Sequence, residues 1–216
     1  MKTSIDREML PDYVSNQLMV FFPDGKNTGK TEIRKYLALT LDRTEYCFSR
    51  INVKYFRTGE EIFFNHLHGD HYAMFLYFLS NTLYKNNCDE NLCAKIFQLN
   101  RYLHSIDVYY EVQLPDIFLF VHPLGTVLGR AEYSDFFMVY QHCNVGSNRN
   151  IYPVLKKYVS MHPGSSILGN CIVEENCRLA AGSLLLDRRL EKNSLYIGNP
   201  GQYVIKTSSE INPVWC

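Results

Sequence analysis

Residues 161–186 read MHPGSS ILGNCI VEENCR LAAGSL LL when the chain is divided into groups of six. Each group opens on an apolar residue: Met161, Ile167, Val173, Leu179 and Leu185. Four positions later each complete group has a small residue: Ser165, Cys171, Cys177 and Ser183. A period of six fits neither the 3.6-residue repeat of a helix nor the alternation of a strand. It predicts a three-sided β-solenoid in which each group forms one side and three groups form one coil. The apolar residues would fill the core, and the small ones would fit the tight corners.

The same period extends towards the N-terminus. Apolar or aromatic residues recur at intervals of six, with Leu128 as an alternative to Val127: Val121, Val127, Tyr133, Val139 and Val145. Their small or corner partners would be Gly125, Ala131, Phe137 and Cys143. One group alone would suit an ordinary strand, but eight near-regular groups favour the solenoid. Between Val145 and Leu155 the step is ten, so four extra residues within GSNRNIYP (146–153) are expected to leave the coil as a loop. Loops of this kind often bind ligands.

Composition narrows the class of protein. The chain has 216 residues with 22 basic and 22 acidic side chains, a balance that favours neither a nucleic-acid partner nor an anionic membrane surface. No apolar run approaches the roughly 20 residues of a membrane span, and the N-terminus lacks a signal-peptide core. The seven cysteines are scattered without a CxxC pair, which is typical of reduced thiols. We therefore expect a cytoplasmic protein with no membrane span.

Residues 1–105 are predicted to form an α-helical domain. Apolar residues have helical spacing in four segments: 5–20, broken near Pro11, 31–51, 70–84 and 88–103. Asp70 suits an N-cap of the third segment. No Pro- or Gly-rich linker follows, so this domain should pack directly on the solenoid, residues 106–205. Beyond residue 193 the repeats stop, NPGQYVIK (199–206) suits an extended segment, and residues 206–216 are expected to form a C-terminal tail.

Two stretches resemble ligand-binding motifs, but one has the wrong spacing and the other lacks the sequence context that its motif requires. GKNTGKT (25–31) has three residues between its glycines where a phosphate-binding P-loop needs four, so a polar turn before a helix fits better. HLHGDH (66–71) matches a dinuclear zinc pattern, but that site needs a preceding strand and further ligands on later loops. Three histidines at a helix start without a metal fit the helical surroundings better.

The solenoid histidines raise a second metal question. His122 and His162 fall on the same corner two coils apart, with His142 between them in the sequence. Two strand spacings of about 4.8 Å place that pair about 9.6 Å apart, too far to share one ion without ligands from another subunit. We therefore expect no metal site.

Asp107 lies 15 residues before His122, slightly less than one 18-residue coil. That spacing can place the carboxylate one coil away at the same edge. It would then accept a hydrogen bond from one imidazole nitrogen and leave the other free to take a proton. A solvated corner histidine and an unrelated turn aspartate are the simpler explanation of the spacing alone, and both interpretations stay open.

Five stretches together resemble the serine O-acetyltransferases: SIDV (105–108), VHPLGTVLG (121–129), VYQHCNVGS (139–147), YPVL (152–155) and PGSSILGN (163–170). The resemblance covers residues 65–205. It implies an α+β fold, with an N-terminal α-helical domain followed by a left-handed parallel β-helix of hexapeptide repeats. It also implies acetyl-CoA as cosubstrate, with coenzyme A as a binding partner, no metal, and a homotrimer or dimer of trimers.

Residue by residue, the resemblance implies that His122 is the general base and Asp107 the carboxylate that orients it. Four further positions match those that line the reacting thioester and the coenzyme A arm: Gly146, Ser147, Pro163 and Ala181.

The acceptor positions depart from the family. Val121 stands where the family has an aspartate, and Ile151–Tyr152 stand in place of an Arg-His pair. A zwitterion such as serine would therefore lack its charge partners, at a cost of several kcal/mol. Tyr152 would suit the face of a sugar. We expect an acetyl-CoA-dependent O-acetyltransferase with direct transfer to a small metabolite or a surface-polysaccharide sugar. The alternatives are a true L-serine O-acetyltransferase, an amino-sugar N-acetyltransferase and a non-catalytic β-helix assembly protein.

Overall fold

The computed structural model describes residues 1–216, and its N-terminal part contains four α-helices. They are α1 (Leu10–Phe21), α2 (Lys30–Ser49), α3 (Gly69–Lys85) and α4 (Glu90–His104). Pro11 lies in the first turn of α1, where its missing N–H costs nothing. Every residue of α3 from 71 to 83 is buried, because α2 and α4 both pack against it. The predicted helices are confirmed to within a few residues at each end, except that the segment 5–20 yields a helix only from Leu10.

Short strands and turns join these helices and were not predicted. β1 (Lys2–Thr3), β2 (Arg57–Thr58) and β3 (Glu61–Phe64) form a small sheet in which β3 pairs with both others. Strands of two to four residues are too short to show a period in the sequence. Two 3₁₀ turns, Arg7–Met9 and Lys54–Phe56, complete this part.

The stretch GKNTGKT forms a polar turn before α2, as predicted. Asn27 Oδ1 accepts a hydrogen bond from the Gly29 amide, and Gly29 takes a left-handed backbone conformation immediately before the helix.

The solenoid occupies most of the remaining chain. Its strands in order are β4 (Phe118–Phe120), β5 (Val127–Leu128), β6 (Glu132–Tyr133), β7 (Phe137–Val139), β8 (Asn144–Gly146), β9 (Val154–Leu155), β10 (Ser160–Met161), β11 (Ser166–Leu168), β12 (Ile172–Val173), β13 (Arg178–Leu179), β14 (Leu184–Leu186), β15 (Arg189–Leu190), β16 (Ser194–Asn199) and β17 (Gln202–Thr207). Every third strand stacks in parallel, which gives three sheets: β4-β7-β10-β13-β16, β5-β8-β11-β14 and β6-β9-β12-β15. About four coils result, as the period of six predicts.

The core register is confirmed from Val139 onwards and is wrong in the first coil. From Val139 to Leu185 the residues predicted for the core are buried. In the first coil Phe120 is buried instead of Val121, and Leu128, the stated alternative to Val127, is buried, so the step there is eight residues. The hydrogen bonds Val121 N to Val139 O and His142 N to Leu124 O show that the two extra residues lie at positions 122 and 123. The corner that carries His122 therefore contains two residues more than the six-residue repeat provides.

Small residues fill the corners. Ser165, Cys171, Cys177 and Ser183 are almost fully buried, as predicted. In the widened first coil, Thr126 takes this position in place of Gly125. At the corner that carries Thr126, the residue before the small one has a positive φ in four successive coils. Three of these residues are glycines, Gly125, Gly164 and Gly182, and the fourth is His142.

The predicted loop between Val145 and Leu155 is a short hairpin. Asn148 and Ile151 exchange two backbone hydrogen bonds across a turn in which Arg149 and Asn150 have φ of 51° and 60°. Two central residues with positive φ are typical of a two-residue type I′ turn. Asp187 from another coil accepts a 2.6 Å hydrogen bond from the Asn148 side chain and fixes the base of the loop.

The chain end returns to the helical part. β16 and β17 form an antiparallel hairpin, after which Val214 O accepts a hydrogen bond from Asn52 N. Trp215 packs edge-on against Phe136 at 5.5 Å. Direct packing of the helices on the solenoid is confirmed, for example by the Cys47 thiol, which donates to Phe118 O. The division at residues 105 and 205 stays a prediction. None of the helices combines the length and apolarity needed to cross a bilayer.

Candidate active site

His122 projects from the widened corner between β4 and β5. Its φ of 48° lies in the left-handed region, which is uncommon for residues other than glycine. Two backbone hydrogen bonds hold it there: Leu124 N donates to His122 O at 2.7 Å, and His122 N donates to Asp70 Oδ1 at 3.0 Å. The imidazole is 75% exposed. The histidine is therefore fixed at its backbone and accessible at its ring.

Asp70 is the carboxylate beside this imidazole. It lies in the first turn of α3 with only 13% of its side chain exposed, and its Oδ2 is 3.8 Å from His122 Nδ1. We expected Asp70 to cap α3, but the helix begins one residue earlier, after His68, without a side-chain cap. The carboxylate instead faces the solenoid corner. Because 52 residues separate the pair, no local spacing in the sequence indicates this contact.

Burial governs the ionisation of Asp70. Loss of solvent around the carboxyl group raises the pKa of Asp70, while the nearby His122 and His68 rings and the His122 N–H oppose that shift. A buried carboxylate with an exposed imidazole as its nearest basic group is suited to stabilising a transient imidazolium.

Within one chain Asp107 does not contact His122, and the predicted dyad stays a prediction. Asp107 stacks under Val127 through the hydrogen bonds Asp107 N to Thr126 O and Leu128 N to Asp107 O. Its carboxylate Oδ2 lies 3.3 Å from Arg101 Nε, and no hydrogen bond or ion pair joins it to His122. The prediction assumed an 18-residue coil, but stacking of Asp107 on Val127 takes 20 residues because of the widened corner.

Two depressions meet at the His122–Asp70 pair. One has a volume of about 190 Å³ and lies between the helical part, the first two coils and the C-terminal segment. Apolar and aromatic side chains form most of its wall, including Tyr55, Phe56, Phe120, Val121, Tyr140 and Val214. The other is wider, about 420 Å³, and includes Gly69, Leu103, His104 and Leu124. A reacting group at His122 can thus be approached from two sides.

The remaining predicted positions are separated from these depressions. Among them only Val121 lines one of the two. Ile151 and Tyr152 are exposed beside the turn of the hairpin loop. Pro163 and Ala181 occupy equivalent corners of successive coils, where Gly182 N donates to Pro163 O at 2.9 Å. Within one chain, the predicted acceptor and coenzyme A positions other than Val121 do not meet His122.

Gly146 and Ser147 follow one another at the end of β8. Gly146 is the last residue of that strand, and Ser147 is exposed just beyond it.

Three other histidines, His68, His71 and His162, have structural contacts. His71 is fully buried, its Nδ1 accepts a hydrogen bond from Asn65 N at 3.1 Å, and burial lowers its pKa to about 3. His68 stacks on it with ring centroids 4.3 Å apart, and His162 stacks on Tyr140. No group of three or more His, Cys, Asp or Glu side chains is arranged to hold a metal ion.

Known proteins with related sequences carry the name serine acetyltransferase. The protein of that name from Synechococcus elongatus is 26% identical over 121 residues, which are 54% of this chain and 49% of the relative. The chain thus spans about half the length of this curated relative. No family model matches the chain.

Solved structures share the fold. Serine acetyltransferase from Brucella abortus strain S19 superposes with a TM-score of 0.73 and 16% identity, covering 96% of this chain and 86% of that one. The same enzyme in complex with coenzyme A gives a TM-score of 0.68 and 16% identity, covering 97% and 85%. This likeness confirms the predicted fold class, a helical part followed by a left-handed parallel β-helix. In sequence the chain is similar to proteins named serine acetyltransferase, and it shares the fold of their solved structures.

Proposed function

We propose that the chain is an acetyl-CoA-dependent acyltransferase that acetylates a hydroxyl group of a small molecule, with His122 as general base. The observation that carries the proposal is an accessible imidazole whose Nδ1 faces a buried carboxylate. The names of the related proteins and the coenzyme A complex of a protein with the same fold support the choice of acyl donor.

The reaction needs one base and no covalent enzyme intermediate. The acceptor hydroxyl loses its proton to His122 Nε2 while its oxygen attacks the thioester carbonyl carbon. The carbon–sulfur bond then breaks, and the imidazolium returns the proton to the leaving thiolate. Asp70, beside Nδ1, stabilises the imidazolium between these steps. No cysteine lines either depression beside His122, so none is placed to act as a nucleophile.

We propose that Asp70 takes the part that the resemblance gives to Asp107. The support is contact: Asp70 is the carboxylate that touches both the backbone and the ring side of His122, whereas Asp107 contacts Arg101. Rate measurements on variants of both aspartates distinguish the two assignments.

We further propose that the coenzyme A arm lies along the corner that carries Pro163 and Ala181, with the thioester near Gly146 and Ser147. Gly164 and Gly182 follow Pro163 and Ala181, so the corner lacks bulky side chains and its backbone is open to a ligand. A backbone N–H near Gly146 would hold the oxyanion of the tetrahedral intermediate.

L-Serine is expected to be a poor acceptor. Val121 is apolar and lies on the wall of the smaller depression, and Ile151 and Tyr152 provide neither a guanidinium nor an imidazole. A site that recognises charged groups discriminates against ligands lacking them by about 10⁴. The converse penalty applies to a zwitterion in a site without those charges. L-Serine O-acetylation remains a second candidate because the relatives bear that name, and amino-sugar N-acetylation a third because it needs the same base.

The proposal includes assembly into a homotrimer or a dimer of trimers in the cytoplasm. In one chain the imidazole of His122 is 75% exposed, and a second surface would exclude water from the reaction. All seven cysteines are free, which supports a reducing compartment. Light scattering at micromolar concentration should give at least three times the chain mass, and a monodisperse monomer would contradict the assembly.

The test of the function is release of free coenzyme A from acetyl-CoA with a panel of alcohols, amines and sugars. His122→Ala should lower turnover by about 10²–10⁴-fold and leave coenzyme A affinity unchanged by calorimetry. His142→Ala is the matched control, because His142 is also an exposed corner histidine with a positive φ. Near-wild-type turnover in His122→Ala would show that the base is wrong. Absence of turnover with every acceptor would favour a non-catalytic assembly protein.

A further inference from the structure

We infer that the 190 Å³ depression beside His122 is the acceptor site and that it selects a neutral alcohol built on a six-membered ring, excluding carboxylates. The inference rests on the proposed function and adds the class of acceptor to it.

The size of the depression fits one ring. An apolar cavity of about 150 Å³ is known to bind benzene, so about 190 Å³ accommodates a six-membered ring with one small substituent. Two segments supply aromatic side chains: Tyr55 and Phe56 from the helical part, and Tyr140 after β7. Flat aromatic surfaces match both faces of a ring better than they match a short flexible chain.

The charge around the depression excludes an acidic ligand. No lysine or arginine lines it, and its one acidic side chain is Asp70, whose Oδ1 already accepts from His122 N. A bound carboxylate would lose its hydration, find no lysine or arginine, and lie near a second carboxylate. A neutral alcohol meets none of these costs.

The position of His122 determines how the acceptor hydroxyl is oriented. Its Nδ1 faces Asp70, so Nε2 is the nitrogen that remains for an acceptor at the rim. With the ring in the depression, its hydroxyl proton passes to Nε2 as the new carbon–oxygen bond forms. The thiolate released from acetyl-CoA then takes that proton, as in the proposed reaction.

The first experiment compares matched acceptors at saturating acetyl-CoA. Benzyl alcohol and 4-(hydroxymethyl)benzoate differ only by the carboxylate, and L-serine represents the small zwitterion. We expect kcat/KM for benzyl alcohol to exceed both others by about tenfold or more. In Asp70→Asn both aromatic acceptors lose the same support at His122, so the change in their ratio relative to the wild type reports the charge of Asp70, and the ratio should fall.

The second experiment fills the depression. Val214→Phe places a ring in its wall and should raise KM for benzyl alcohol about tenfold. The control is Val204→Phe, the same change at an exposed position of β17 that does not line the depression, and it should leave KM unchanged. Saturation-transfer NMR should show benzyl alcohol bound to the wild type and to Val204→Phe, but not to Val214→Phe.

The outcomes separate the two proposals. Turnover of L-serine or 4-(hydroxymethyl)benzoate at the rate of benzyl alcohol overturns the ring preference and leaves His122-dependent transfer intact. If no release of coenzyme A thiol depends on His122, the proposed function is wrong. In that case the NMR measurement of benzyl alcohol binding tests the ring site independently. A benzyl alcohol signal that is absent, or insensitive to Val214→Phe, overturns the site.

Discussion

The pair formed by His122 and Asp70 gives the sharpest prediction, because the family resemblance and the structure assign the carboxylate to different residues. In Asp70→Asn the amide oxygen can still accept the His122 N–H, so the backbone contact is kept and only the charge beside Nδ1 is lost. We therefore expect Asp70→Asn to fold and to turn over slowly.

The size of the loss follows from the 3.8 Å separation of Asp70 Oδ2 and His122 Nδ1. Two unit charges about 4 Å apart interact by about 1 kcal/mol in water and about 4 kcal/mol at the effective dielectric of a protein surface. The aspartate is largely buried but the imidazole is 75% exposed, so the value lies nearer the lower limit. About 1.4 kcal/mol lost from the charged transition state corresponds to a tenfold lower kcat.

Asp107→Asn is the matched control. Its carboxylate contacts Arg101 on a half-exposed surface, and exposed pairs of this kind contribute about 0.2–1 kcal/mol. We expect a change in kcat below about fivefold. Both variants are assayed by release of free coenzyme A with the best acceptor of the panel, at saturating acetyl-CoA.

The comparison refutes the reasoning if Asp107→Asn loses more activity than Asp70→Asn. The orienting carboxylate would then be the one given by the resemblance, and the contact of His122 with Asp70 would be structural. Equal small losses in both variants would mean that His122 needs no carboxylate.

Three further predictions concern stability. Burial raises the pKa of Asp70, so the ionised carboxylate destabilises the folded state at pH 7. This cost disappears below the pKa of an aspartate in the unfolded chain, about 3.9. Asp70→Asn should therefore raise the melting temperature relative to wild type more at pH 7 than at pH 4. His71 has a pKa of about 3 in the folded protein and about 6.5 in the unfolded chain, so its stabilising contribution is complete above pH 6.5. Between pH 6.5 and about pH 3 that contribution falls by about 1.4 kcal/mol per pH unit. His71→Phe should reduce the slope of unfolding free energy against pH by that amount, and an unchanged slope would count against a neutral buried imidazole. Ser165→Leu should destabilise the solenoid by about 1–3 kcal/mol in urea, because the corner has no free volume, whereas Ser166→Leu beside it, on a half-exposed position, should change stability little.

Periodicity in the sequence determined the architecture of this protein. A stacked coil repeats the same local environment, so each group of six must present an apolar residue to the core and a small residue to the corner. From Val139 to Leu185 the amino-acid sequence alone predicts which residues are buried in the core. Helical spacing predicted α2, α3 and α4, because apolar residues at that spacing line the surfaces that these helices bury.

Tertiary structure decided what surrounds His122. The step from Phe120 to Leu128 is two residues longer than the repeat, and a longer corner has no signature in the sequence because its extra residues leave the periodic lattice. That shift changes which residue of the preceding coil stacks beneath, and Asp107 contacts Arg101 as a result. Asp70 reaches His122 only because α3 packs its first turn against the corner. Contacts between elements depend on how those elements pack in space, which local spacing along the chain does not encode.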